Sequence, residues 1–399
     1  MAGLSDHPKY CGCGAHPSRR KVLKAGLATA AGLALAPTQG AAQISGVGVA
    51  EGTLPGRSAP HTLEGTSSMA VPRQRLGIDI HAHYYPQAYL DVLGEEGKQY
   101  NFDYRAAPDG FFIGPQRYET KFTDLTLRLA DMDARGVQMH ALSLTAPMLY
   151  FAEPAVSQRL AVAWNDGASA AHQAHPDRFV WLATLPMGDP DRAVDELNRA
   201  SQLPGIRGVY LGTNIQDRDL DDPMFRPVFA RIEALALPVF LHPLKTVGGE
   251  RLGVKPYYLN NLIGNPLDTA IACAHLIFGG VLDRYPKLDV CLPHSGGVMP
   301  ILMGRWDHGT KVRPELKHMP RPPSEYLRRF SYDTVSHSKP IMQFVISQVG
   351  IERIVLGSDY CFDMGDERPV EVVEALGLDS EQRELVLRDN AAKLLKVKV

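Results

Sequence analysis

Asp79-Ile80-His81-Ala82-His83 decides how the chain is read. It follows Arg75-Leu76-Gly77 and runs into Tyr84-Tyr85-Pro86, the pattern of a short buried strand. Strand side chains alternate between faces, so His81 and His83 point one way and Ile78, Ile80 and Ala82 the other. Two imidazoles one strand period apart can ligate one divalent cation, because neutral histidine nitrogen is a common metal ligand. Taken alone, the spacing also suits two packed core histidines. The residues downstream decide between these readings.

From residue 76 onward, short apolar runs alternate with helical periodicity. Strands are expected over 76–80, 139–144, 179–184, 206–210, 239–241, 288–292, 331–334 and 354–356. Helices are expected over 124–135, 154–174, 191–200, 223–236, 266–278, 340–348 and 381–393, with another running to about Trp306. The first carries Leu125, Leu129 and Met132 on one face and stops at Gly136. Residues 85–114 are poorly periodic and read as an insertion over the active site. Strands alternating with helices over 76–399 predict an α/β fold, a (β/α)8 TIM barrel with an insertion after strand one. Chemistry in such barrels sits at the C-terminal ends of the strands. His81 and His83, His242, His294 and Asp359 fall at those ends, on strands one, five, six and eight. Five metal-capable or acid/base groups on one rim predict a metal centre.

Composition narrows the function classes. The 399 residues are 45% hydrophobic and 22% charged, with a net charge of -2 and no long charge runs. These values suit a globular protein with a large core and give no basic footprint for nucleic acid. The first residues read differently. Ser18-Arg19-Arg20-Lys21 precedes an apolar Ala-rich run, residues 25–36, and small residues at Gly40-Ala41-Ala42. This is the layout of a signal peptide over 1–42, and the arginine pair resembles the twin-arginine export signal. The run is too short for stable membrane insertion. A periplasmic or exported location is therefore expected, with the cytoplasm the alternative if the signal does not function. Residues 43–75 read as a flexible linker. Cys11 and Cys13 would leave with the signal. Cys273 and Cys291 read as core thiols, and with Cys361 the remaining odd count gives no disulfide framework.

At these residues the chain resembles the amidohydrolase superfamily (amidohydrolase-related family 2). Within it, the chain is most similar to the branch of 2-amino-3-carboxymuconate-6-semialdehyde decarboxylase and related decarboxylases. The resemblance runs through Asp131-Met132-Asp133-Ala134-Arg135-Gly136-Val137 and Leu182-Ala183-Thr184-Leu185-Pro186-Met187. It continues through Gly279-Gly280-Val281, Tyr285-Pro286-Lys287-Leu288, His294-Ser295-Gly296-Gly297 and Gly357-Ser358-Asp359-Tyr360.

The resemblance implies an amidohydrolase-like TIM barrel and roles position by position. His81, His83, His242 and Asp359 match metal ligands. His294 matches a catalytic histidine beside the metal-bound water. Arg305 matches an arginine that binds the substrate carboxylate, supplied in the family across a homodimer interface. The expected activity is metal-dependent, non-oxidative decarboxylation of a conjugated or aromatic carboxylic acid. The expected cofactor is one divalent ion, Zn²⁺ ahead of Mn²⁺, because three histidines and a carboxylate suit zinc but do not exclude manganese. No glycine-rich phosphate loop argues for an organic cofactor. Hydrolysis or hydration by the same centre, and a periplasmic ligand-binding protein without turnover, are the competing readings.

The chain also departs from the pattern. The family glycine after the catalytic histidine is Ser295, and a pocket tryptophan is replaced by Leu244. A second substrate arginine, expected in the early insertion, has no clear counterpart; Arg105 and Arg117 stand nearby. Tyr150, Phe151, Tyr257 and Tyr258 are candidate pocket residues. Asp333, in Tyr332-Asp333-Thr334, could add a polar group at strand seven but is not expected as a ligand.

Overall fold

The computed structural model describes residues 77–244, 249, 253–254 and 256–398. The expected signal peptide and linker, with Cys11 and Cys13, lie outside these residues.

Eight parallel strands form the core sheet: β1 (Gly77–His83), β2 (Val137–Ser143), β3 (Phe179–Ala183), β4 (Ile206–Gly212), β5 (Val239–His242), β6 (Val290–Leu292), β7 (Phe330–Asp333) and β8 (Ile354–Val355). Each pairs with its neighbour in chain order. The ends meet: the Ile80 amide donates to the Leu356 carbonyl at 3.0 Å, the Tyr360 amide donates to the His81 carbonyl at 3.2 Å, and Ala82 bridges Tyr360 in parallel. Closure in this order makes the expected (β/α)8 barrel. Helices cover the outer face, so the strands are buried on both sides and read as near-continuous apolar runs.

β1, β4 and β5 run further toward the site than periodicity indicated. All seven residues of β1 are buried, including both histidines, and β5 includes His242. His242, expected just past a strand end, is here the last member of β5.

The surrounding helices follow their local signals. In α2 (Leu125–Arg135), Asp124 caps the Thr126 and Leu127 amides, and Gly136 ends the helix at φ 74°. That left-handed conformation costs glycine little. Pro154 opens the long helix α3 (Pro154–Ala174), as expected. The Trp164 indole on α3 donates to the Tyr84 carbonyl at 2.9 Å, which fixes the chain where it leaves β1. The helix expected over 223–236 divides. Asp222 caps a 3-10 turn at Pro223–Phe225, and the α-helix follows at Arg226–Ala234. The closing helix also changes character, passing through a π-helical turn at Leu385–Asp389.

The early insertion is more ordered than its weak periodicity suggested. It holds a helix, α1 (Gln87–Glu96), and a three-stranded antiparallel sheet, Tyr104–Ala107, Gly110–Ile113 and Gln116–Glu119. Tyr89, Leu90 and Leu93 bury one face of α1. The Tyr85 ring sits 5.2–5.8 Å from the rings of Tyr89, Phe111, Tyr118 and Phe122. This aromatic cluster pins the small sheet beside the strand end that carries His83. Cys273, Cys291 and Cys361 are buried free thiols. No helix among the described residues is long and apolar enough to cross a membrane.

Candidate metal centre and active site

His81 and His83 at the end of β1, His242 at the end of β5 and Asp359 just after β8 converge. Each is buried, and each offers one ligand atom within 4.8 Å of the others. The ring centroids of His81 and His83 lie 4.9 Å apart, as do those of His83 and His242. An Asp359 carboxylate oxygen sits 3.0 Å from His83 Nε2 and 3.4 Å from His81 Nε2.

The donors fit one divalent ion. Nε2 of His81 and Nδ1 of His242 are buried without a hydrogen-bond partner among the described residues. A buried polar atom left unpaired is costly, and a metal would satisfy such atoms. Burial lowers the His83 pKa to about 4 and holds His242 well below the usual histidine range. Both rings are therefore neutral at pH 7, with lone pairs for coordination.

A second row of groups fixes the ligand rings. The Asp333 carboxylate lies 2.8 Å from His81 Nδ1. It also accepts from the backbone amides of His294 at 3.0 Å, Ser295 at 2.8 Å and Val335 at 3.1 Å. Ser143 Oγ at the end of β2 is 3.1 Å from His83 Nδ1. Partners of this kind set the tautomer and raise ligand basicity. Asp333 is thus the orienting carboxylate of β7, outside the four-residue cluster, in line with its not being expected as a ligand. Ser143 was missed entirely. A serine closing an apolar strand is a weak signal, and only the barrel closure sets it behind a ligand.

His294 reaches the cluster from the loop after β6. Its Nε2 lies 3.6 Å from Asp359, and its Nδ1 is buried and unpartnered among the described residues. His294 and Ser295 have φ of 51° and 55°. Two successive left-handed residues are strained for side chains other than glycine. Glycine, which the resemblance places at Ser295, takes up this conformation at little cost. Here the Ser295 hydroxyl donates to the Asp333 carbonyl at 3.2 Å, a bond glycine cannot make.

A cavity of about 670 Å³ opens onto His242, His294 and Asp359. Its walls are aromatic and amide-bearing: Phe102, Tyr118, Tyr150 and Phe362, with Asn214 and Gln216 among the polar groups. Tyr150, Phe151, Tyr258 and Leu244 line it as expected, whereas Tyr257 is 86% exposed and does not. The loops after β4 and β8 also contribute, which periodicity gave no means to see.

Arg105 donates to the Gly114 carbonyl and Arg117 pairs with Asp109, so neither faces the cavity. Arg305 is exposed on the helix Met299–Val312 and does not line its own chain's cavity.

The chain belongs to the amidohydrolase family, whose model matches residues 78–397. Among curated proteins it is 32% identical to a 2-amino-3-carboxymuconate-6-semialdehyde decarboxylase of Dictyostelium discoideum, over 80% of this chain and 91% of that one. It is 29% identical to a gamma-resorcylate decarboxylase of Rhizobium sp. (strain MTP-10005), over 68% of this chain and 86% of that one. Among solved structures, the 5-carboxyvanillate decarboxylase of Sphingomonas paucimobilis superposes with a TM-score of 0.73 at 26% identity. That match covers 82% of this chain and all of the other.

Proposed function

We propose that the protein is a metal-dependent, non-oxidative carboxy-lyase acting on an aromatic or conjugated carboxylic acid. One observation carries the reading: an aromatic-lined cavity opens onto His294 and onto His242 and Asp359 of the buried His81–His83–His242–Asp359 cluster. The ligand roles of these four residues are part of the proposal, and Zn²⁺ is the ion their donor set suits best. When bound, the ion supplies a Lewis-acid centre for substrate oxygens. The aromatic walls hold the conjugated body of the acid, and the amide side chains can bond its neutral substituents. His294 holds or moves the proton at its Nε2, beside the carbon that loses the carboxyl group. An aromatic ring or enone takes up the electron pair, so no organic cofactor is needed.

His294→Ala is expected to retain its metal while carbon dioxide release falls by about 10²-fold or more. Metal analysis and headspace gas on hydroxybenzoates check both points. Full turnover in this variant would remove His294 from the reaction.

Arg305 enters the proposal through a homodimer. Ile301 is 64% exposed one helical turn before it, giving an apolar and a cationic group on the same outer face. The partner's Arg305 would then grip the substrate carboxylate. Inactive His294→Ala and Arg305→Ala chains, mixed under subunit exchange, should regain part of the activity. A monomeric native enzyme with unimpaired Arg305→Ala turnover would refute this. The twin-arginine-like segment supports an exported enzyme, and fractionation of the producing cells tests that directly: mature protein found only in the cytoplasm would count against it.

A further inference from the structure

A second cavity, about 230 Å³, also borders His294 and Asp359. It shares Asn261, Asn265, His294, Asp359 and Met364 with the larger cavity, and Val335, Ser336, His337 and Ile341 are among its other lining residues. It has room for several waters. His337 stands on its wall. Its side chain is 44% exposed, and its Nδ1 lies 3.3 Å from the carboxylate of Asp366, which is 11% exposed. Asp366 is itself held by its backbone amide, which donates to the Ser358 carbonyl at 2.7 Å, directly before Asp359. Its other carboxylate oxygen is buried and unpartnered among the described residues. His337 has φ of 52°, a conformation a non-glycine side chain seldom adopts and one that needs support from its surroundings.

The chemistry gives this arrangement a task. A proton adds to the carbon that bears the carboxylate, forming the new C–H bond; the bond to the carboxylate then breaks, its electron pair returns to the ring or enone, and carbon dioxide leaves. Each turnover of a carboxylate substrate therefore takes one proton from solvent. With an aromatic acid seated in the larger cavity, that side of His294 is blocked. The smaller cavity is lined by both His294 and the exposed His337.

We propose that the smaller cavity is the proton port of the enzyme, and that His337, braced by Asp366, relays protons between solvent and His294. The relay rests on the decarboxylase reading above. The Asp366 carboxylate also raises the His337 pKa above the ordinary histidine value, which suits an imidazole that must pick up protons near neutral pH. His337 acts through His294 and does not touch the substrate.

The test compares His337→Gln with the native enzyme at one pH and ionic strength, while the concentration of a non-coordinating buffer is varied. For the variant in dilute buffer, kcat is expected to fall by about tenfold or more, with KM and metal content little changed. That loss should shrink as buffer rises, because a soluble buffer can deliver the missing proton through the cavity. Native kcat should stay flat. The solvent deuterium isotope effect on kcat should be larger in the variant. Ile341→Trp, which narrows the same opening, should lower kcat without altering the thermal shift given by a non-reactive nitrobenzoate. A variant with native kcat, or a loss that buffer does not repair, overturns the relay while leaving the decarboxylase reading intact. A native enzyme that releases no carbon dioxide overturns that reading, and the relay with it.

Discussion

Asp359→Ala is expected to purify folded but without stoichiometric metal, with carbon dioxide release reduced by at least about a thousandfold. Asp359 is the one carboxylate among the four converging donors, and its oxygens face His81, His83 and His294. Removing it leaves three neutral or cationic rings around a gap. No carboxylate then faces the ion directly, since Asp333 stands behind His81, and nothing holds the His294 ring from that side. The fold should persist, because the barrel closes through backbone bonds of Ile80, Ala82 and Tyr360 rather than through this side chain. Metal analysis with circular dichroism on the same sample separates the two effects. Native metal content in Asp359→Ala would remove this residue from the ligand set.

Arg128→Leu is expected to give the second large effect, on stability. Arg128 is fully buried in the barrel wall. Its guanidinium donates to the His83 carbonyl, lies 3.3 Å from His140 Nδ1, and stacks 4.6 Å from the centre of the Tyr360 ring. Burial, followed by the nearby arginine charges, keeps His140 well below the usual histidine range, so its neutral ring can accept from Arg128. Leucine fills only part of the space and leaves the His83 carbonyl unpaired in a dry site. The loss is about 3 kcal/mol or more, the usual sum of an unsatisfied buried group and imperfect packing. Thermal and urea unfolding of the metal-free protein measures it without interference from metal binding. A change under about 1 kcal/mol would mean that Arg128 is replaceable packing.

Much of the site was legible in the sequence because barrel chemistry collects at strand ends. His81, His83, His242, His294 and Asp359 each follow an apolar run, and the closed barrel brings all five to one rim. Their supports were harder to see. Asp333 and Ser143 act by bonding ligand rings from strands far away in the chain, and neither spacing nor composition marks such a pairing. The insertion after strand one is where the sequence places it, but its own elements were not legible, for a different reason. The three strands between Tyr104 and Glu119 are four residues each, too short for alternation to register, and their order comes from aromatic packing onto Tyr85. Arg305 shows the limit of a single chain. Its helix was readable, but any role in binding substrate depends on a second copy.

Gas release measured against metal content decides whether the bound ion drives decarboxylation. Metal-free protein is titrated with Zn²⁺, and separately with Mn²⁺, in the presence of hydroxybenzoates and carboxymuconate-like acids. Carbon dioxide evolution should rise in proportion to bound metal and level off at about one ion per chain, the capacity of a single four-donor site. Stoichiometric metal with hydrolysed or hydrated products and no carbon dioxide would contradict the carboxy-lyase assignment.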